Sequence, residues 1–314
     1  MVPAPLISDT HFLQRDSLYE VEKPYSLRFT PPSTFPRANI KLEKHTISIN
    51  DIRSKHKPVT FAQHGFEILP FKSRLPYADF DDDDAVKRVY LREAANLIRD
   101  FLGAQNVQIF EHTVRKRHEE FPISTGESYK WNQPTSIAHV DTTTSWAIDM
   151  AKQLNPNNPL IGKHRIQCVK CVSRRSNGLE QTNKFNSLWK PLKGPVKDWP
   201  LALCDPVSIN VKSDLEPCDL VYPDYVVENR QLYWSEGQEW WWCRDQMEDE
   251  AWIFLQSDTD TKTKPGKCLI GSDGRVIYGA NCREVPHTAF RVEGENGEPR
   301  ESIELRALVY YGGV

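Results

Sequence analysis

Pro134-Thr135-Ser136-Ile137-Ala138-His139-Val140-Asp141 is the stretch on which the fold turns. It reads as a strand entering a buried site, and it ends in an H-x-D. Residues two apart on a strand share a face, so the His139 imidazole and the Asp141 carboxylate project together. Just downstream, 144–154 predicts a helix capped by Thr143 or Thr144. Beyond it the chain reads as mostly β, with candidate strands at 165–171, 206–212, 219–227, 230–235, 238–243, 251–257, 274–279, 287–293 and 302–311. Upstream, Val86, Val89, Tyr90, Ala94, Leu97, Ile98 and Phe101 keep helical spacing behind the acidic run 81–84, and Gly103 is a natural stop. A strand is expected from Asn106 to Arg115. Helices early and many short strands later predict a mainly β fold with flanking helices, a sandwich or barrel. Residues 1–60 are Pro-rich and polar, with short strands only at 25–29 and 47–49. They read as an N-terminal arm packed on a single domain over 61–314.

Composition narrows the function. Forty Lys and Arg against 43 Asp and Glu leave a net charge of −3, which argues against nucleic-acid or membrane-surface binding. No apolar run approaches the ~18 residues of a membrane span. The first residues lack the charged and apolar regions of a secretory signal. Seven scattered Cys do not form a disulfide framework. The expectation is a soluble, reduced, cytoplasmic protein acting on a small molecule; oligomeric state is left open. No P-loop, G-x-G-x-x-G or G-x-S-x-G occurs, and Gly is sparse, which argues against nucleotide-binding folds.

Joined by a distant second His, an H-x-D makes a facial triad that leaves iron three open positions. The motif alone is weak: with nine His and 43 acidic residues in 314, about one H-x-[DE] arises by chance, and the chain has two. The other, His118-Glu119-Glu120, sits in a charged run that reads as solvated surface. Only His164 and His287 follow Asp141. His287 opens an apolar segment, and after a Gly/Glu/Asn turn comes Arg300-Glu301-Ser302-Ile303-Glu304-Leu305-Arg306-Ala307-Leu308-Val309-Tyr310, a hairpin signature. Arg300, Ser302, Glu304 and Arg306 share one face of the second strand. An Arg and a hydroxyl two residues apart can hold a carboxylate; solvated charges on an edge strand explain the pattern equally. His11, His45, His56, His64, His112 and His164 read as surface or hydrogen-bonded core residues. Cys168 and Cys171 of the lone CxxC point to opposite faces of a strand and make no zinc site. Trp240-Trp241-Trp242 with Tyr233 and Trp234 reads as core plus one exposed ring, with a pocket wall as the alternative.

A set of segments in order then resembles a known family. They are Phe12-Leu13, Leu18-Tyr19-Glu20, Lys23-Pro24-Tyr25-Ser26-Leu27, Phe110-Glu111-His112-Thr113-Val114-Arg115-Lys116-Arg117, Ala138-His139-Val140-Asp141, Trp189-Lys190-Pro191-Leu192, Asp219-Leu220-Val221-Tyr222-Pro223 and the run from Arg300 to Tyr310. Across nearly the whole chain they resemble the fungal gibberellin-desaturase-like group, related to the cephalosporin 7α-methoxylation component. Its members are non-haem Fe(II), 2-oxoglutarate-dependent oxygenases of secondary metabolism. The resemblance implies a double-stranded β-helix, a jelly-roll, cupin-like core. It implies His139, Asp141 and His287 as iron ligands. Arg300, with Ser302, would hold the distal carboxylate of 2-oxoglutarate, with Arg306 as fallback. The implied chemistry is oxidative decarboxylation of 2-oxoglutarate with O2 at Fe(II), then hydrogen abstraction from an unactivated C–H bond. Hydroxylation, desaturation and oxidative cyclisation share that step. Arg115, Arg117 and the aromatic cluster are pocket candidates. The alternative is the same fold as a redox-neutral enzyme, such as an isomerase, or as a non-catalytic partner subunit.

Two segments depart from the family pattern, roughly 172–187 and 267–283. Both are polar. They read either as loop insertions, which stability tolerates, or as translated, unspliced introns: Val172-Ser173 and Gly266-Lys267-Cys268 can encode intron-start sequences, and Phe185-Asn186-Ser187 and Ala280-Asn281-Cys282-Arg283 intron-end sequences.

Overall fold

A computed structural model describes residues 4–54, 58–122, 129–158, 165–166, 182–257, 269–270, 276–277, 284–294 and 297–311. Its strands are β1 (Leu6–Leu13), β2 (Tyr25–Leu27), β3 (Leu42–Asp51), β4 (Phe66–Pro70), β5 (Asn106–Lys116), β6 (His139–Val140), β7 (Arg165–Ile166), β8 (Thr182–Pro191) and β9 (Leu201–Cys204). There follow β10 (Leu215–Val221), β11 (Val226–Leu232), β12 (Trp240–Trp242), β13 (Glu250–Ser257), β14 (Leu269–Ile270), β15 (Val276–Ile277), β16 (His287–Ala289) and β17 (Glu301–Tyr311). One sheet of nine strands runs β1-β3-β12-β9-β16-β6-β11-β10-β2, and one of six holds β4-β13-β8-β17-β5 with β7 beside β8. A short β14-β15 pair stands apart. The two main sheets meet across their inner faces, where the rings of Phe254 on β13 and His287 on β16 lie 5.0 Å apart.

The helical flank forms where local periodicity puts it. The helix Leu91–Leu102 buries Ala94, Ile98 and Leu102, four residues apart, in the cluster that also takes Leu305, Leu308 and Val309 of β17. A π turn at Val86–Tyr90 leads into it, and Gly103 closes it at φ 63°, where a left-handed backbone suits glycine. The helix Thr144–Leu154 starts as expected, with the Thr143 hydroxyl accepting from the Trp146 amide.

Several strand expectations change. The stretch 206–212 is not a strand: Asp205 and Asn210 each accept an amide two residues on, and these local bonds make a short 3-10 turn and a helical turn instead. The stretch 219–227 is a hairpin, broken at Tyr222-Pro223-Asp224-Tyr225, where proline and aspartate favour a turn. The expected hairpin after His287 is an arch between sheets, since β16 pairs with β6 and β9 while β17 pairs with β5 and β8. Alternation and turn residues read the same for both, and the long link between the strands allows the crossing. Residues 1–60 supply β1, β2 and β3 to the nine-stranded sheet. Of the polar segment 172–187, residues 182–187 form the start of β8, paired along its length with β17. The rest of that segment, Cys168 and Cys171, and nearly all of 267–283 lie outside the described residues.

Candidate metal centre

β6 and β16 lie side by side with His139 directly opposite His287, so the two imidazoles rise from the same face, 4.5 Å apart. Each ring is turned the same way. His139 Nδ1 lies 2.7 Å from the Ile137 carbonyl and His287 Nδ1 3.3 Å from the Val285 carbonyl. A carbonyl oxygen only accepts, so each Nδ1 carries a proton and Nε2 is the nitrogen left to bind a metal. Both Nε2 atoms face Asp141: His139 Nε2 is 3.5 Å from Oδ1 and His287 Nε2 3.7 Å from Oδ2. The three donor atoms lie within 4.8 Å of one another, and no other such His/Cys/Asp/Glu group occurs among the described residues.

Electrostatics keep His287 and Asp141 in their metal-binding forms. Burial pushes His287 down to about 4, against the pull of the nearby Asp141 charge, so the ring is neutral. Burial would raise the Asp141 carboxyl. The Arg306 guanidinium outweighs it and holds the carboxyl well below its usual range. Arg306 donates to Asp141 Oδ1 at 2.8 Å and also pairs with Glu111. A bulge helps: opposite Arg306–Ala307, β5 goes from Glu111 to Ile109, so Phe110 is the extra residue. The Asp141 amide donates to Gln256 Oε1 on the opposite sheet at 2.8 Å.

The shared face of β17 divides into distinct roles. Arg306 pairs through its two terminal nitrogens with Asp141 and Glu111, while its Nε has no partner among the described residues. Glu304 accepts from Arg115 at 2.5 Å, and Arg115 also donates to the Gln133 carbonyl. Arg300 and Ser302 differ. Arg300 is buried, donates from Nη1 to the Trp199 carbonyl and lies over the Trp189 ring, but its Nε has no partner. Ser302 is fully buried and its hydroxyl is also unpartnered. Burial, with Arg115 nearby, presses the charged form of Arg300 down to about 9. A buried cation with an open donor beside an open hydroxyl is matched by a carboxylate. Beside the triad lies a narrow cavity of about 20 Å³, lined by Asp141 and His287 together with Ser187, Trp189, Phe254 and Arg306.

The remaining candidates fall elsewhere. His118, Glu119 and Glu120 are exposed. Arg117 pairs with Asp198. Trp240, Trp241, Trp242 and Tyr233 are buried core, while Trp234 is partly exposed and stacks on His45. His64 bonds within its own helical turn and His112 pairs with Asp83. His56 and His164 lie outside the described residues. Sequence reasoning missed Gln256, whose signal was a lone amide ending the apolar run Ala251-Trp252-Ile253-Phe254-Leu255. It also missed Glu111 and Ser187, which carry no local signal.

Known proteins resemble this chain along its length. The Fe(II)/2-oxoglutarate-dependent dioxygenase nvfI of Aspergillus novofumigatus is 27% identical over 312 residues, 97% of this chain and 96% of its own. The hydroxylase/desaturase efuI of Hormonema carpetanum is 26% identical over 293 residues, 88% of each. The solved structure of a variant of the iron and alpha-ketoglutarate-dependent endoperoxidase NvfI superposes with a TM-score of 0.76 over 99% of both chains at 24% identity, which establishes the jelly-roll fold. No helix among the described residues is long and apolar enough to cross a membrane. With a family model matching residues 11–310, the chain belongs to the family described as Oxidoreductase/YMDC permease-like domain.

Proposed function

We propose that this chain is an Fe(II)/2-oxoglutarate-dependent oxygenase of a small secondary-metabolite intermediate. His139, Asp141 and His287 bind the iron, and Arg300 with Ser302 seats the distal carboxylate of 2-oxoglutarate. The observation that carries this reading is the pair of imidazoles with Nδ1 pinned to backbone carbonyls and both Nε2 atoms turned on one carboxylate. Three protein ligands on one side leave room for the cosubstrate and O2. When bound, iron with 2-oxoglutarate and O2 supplies the oxidising power to remove hydrogen from a C–H bond. The chain's own residues do the rest: the Ile137 and Val285 carbonyls orient the rings, Arg306 keeps Asp141 ionised, and Phe254 and Trp189 give the cavity its apolar wall.

Within the family, the ordered segments from Phe12-Leu13 to the Arg300–Tyr310 run favour the gibberellin-desaturase-like and cephalosporin 7α-methoxylation-component-like group. Residues 61–314 carry the oxygenase domain, and 1–60 pack on it by adding β1, β2 and β3 to its nine-stranded sheet. The near-zero net charge favours a small-molecule substrate over nucleic acid and suits the cytoplasm.

Anaerobic titration with Fe(II) and 2-oxoglutarate tests this. A visible charge-transfer band saturating near one iron per chain is expected, absent in His139→Ala and weakened at least tenfold in Arg300→Leu. Iron binding without the band would remove 2-oxoglutarate from the reading. No iron binding would leave the fold as a non-catalytic or partner protein.

A further inference from the structure

We propose that Gln256 is a positioning residue that fixes the backbone at Asp141 for metal binding, an inference that rests on the iron reading above. β6 ends at Val140, so no ladder partner holds the Asp141 amide. Gln256 does so from the opposite sheet, its Oε1 accepting at 2.8 Å. A bulge aims it there: against β8, Leu255 faces Asn186 and Ser257 faces Phe185, which leaves Gln256 as the extra residue. An inserted residue bends its strand and redirects side chains, and such bulges gather beside active sites.

A second observation argues against a space-filling role. Gln256 is 2% exposed, yet its Nε2 has no partner among the described residues. Burying an amide group unpaired is unfavourable, and methionine would fill the same volume without it. The half of the carboxamide that is used is the acceptor on Asp141. Both His139 Nε2 and His287 Nε2 face Asp141. Loss of that acceptor frees the first residue past β6 to rotate, and its carboxylate leaves the convergence of the two imidazoles.

The test is titration of the full-length, metal-free protein with Co(II) alone, read by its visible d–d bands, beside thermal unfolding. Gln256→Met is expected to weaken Co(II) binding by about 10- to 100-fold, the usual effect of removing a partner of a metal ligand. Gln256→Glu, which keeps an acceptor at the same reach, stays within about threefold of the parent. Gln256→Asn, whose oxygen is drawn back by one methylene, behaves like the Met variant and carries the test if that variant does not fold. Equal Co(II) affinity in parent, Met and Asn variants overturns the inference, even if unfolding temperatures fall. Failure of the parent itself to bind Co(II) overturns the iron reading and this inference with it.

Discussion

Asp141 is gripped from three sides, and each grip has a different physical basis. Gln256 holds its amide, the two imidazoles face its oxygens, and Arg306 neutralises its charge. The last contact makes a pH prediction. The folded carboxyl titrates well below its ordinary value, so its stabilisation is fully present above about pH 4 and is lost as pH falls through the folded value. Arg306→Met removes most of that depression and leaves a largely buried carboxylate without its cation. The metal-free variant should be less stable at pH 7 by about 3 kcal/mol, the scale for breaking a buried pair. The gap should narrow as pH drops toward 3. Urea midpoints of both proteins across that range check it; a gap that widens in acid would mean Arg306 does not stabilise the ionised carboxyl. At this scale the triad was legible because its residue types and order are distinctive. Gln256 and Glu111 were not, because their partners are set by strand register and bulges, which one sequence does not display.

Elements were legible where their signal is local. The helix Leu91–Leu102 follows its apolar spacing to Gly103, and the helix Thr144–Leu154 begins at its expected cap. Strands were harder. β1 and β3 alternate weakly because their inner faces also carry polar residues, Ser8 and Thr10 on β1 and Glu43 and His45 on β3, so only a fragment of β3 was visible. The link between β16 and β17 could not be told from a hairpin, since the choice between one sheet and two is made by packing. The cap itself can be tested. Thr143 Oγ1 accepts from the Trp146 amide at 3.3 Å and donates to Glu228 Oε1 at 2.5 Å, joining the helix to β11 just past Asp141. Thr143→Ala should cost about 1–2 kcal/mol, lowering Tm by about 1.5–3 °C for a chain of this length. A shift under one degree would mean that neither bond contributes.

The whole molecule places its first strand where an arm was expected, and the placement bears on the site. β1 pairs along its length with β3, and β3 lies beside β12, so the N-terminal segment extends the nine-stranded sheet. β1 also reaches both histidine-bearing strands. The His11 amide donates to the Ser136 carbonyl at 3.1 Å, and the Ala138 amide donates to the His11 carbonyl at 2.8 Å, directly before His139. The hydroxyls of Thr10 and Thr288 lie 2.9 Å apart, next to His287, and Ser8 Oγ donates to the Arg291 carbonyl at 2.7 Å. Phe12 and Leu13 are fully buried at the end of the strand. Deleting residues 1–14 therefore strips the backbone support from the two strands that aim the imidazoles. It also removes two core side chains, at about 3–5 kcal/mol for the Phe and 2–5 for the Leu if each were cut to Ala. Against a typical stability of about 5–15 kcal/mol, the truncated chain should lose cooperative thermal unfolding, or retain it only far below the parent's Tm with Co(II) binding abolished. Calorimetry and Co(II) titration of the two proteins would decide. A truncated chain that melts within a few degrees of the parent and binds Co(II) equally would return residues 1–14 to the status of a dispensable arm.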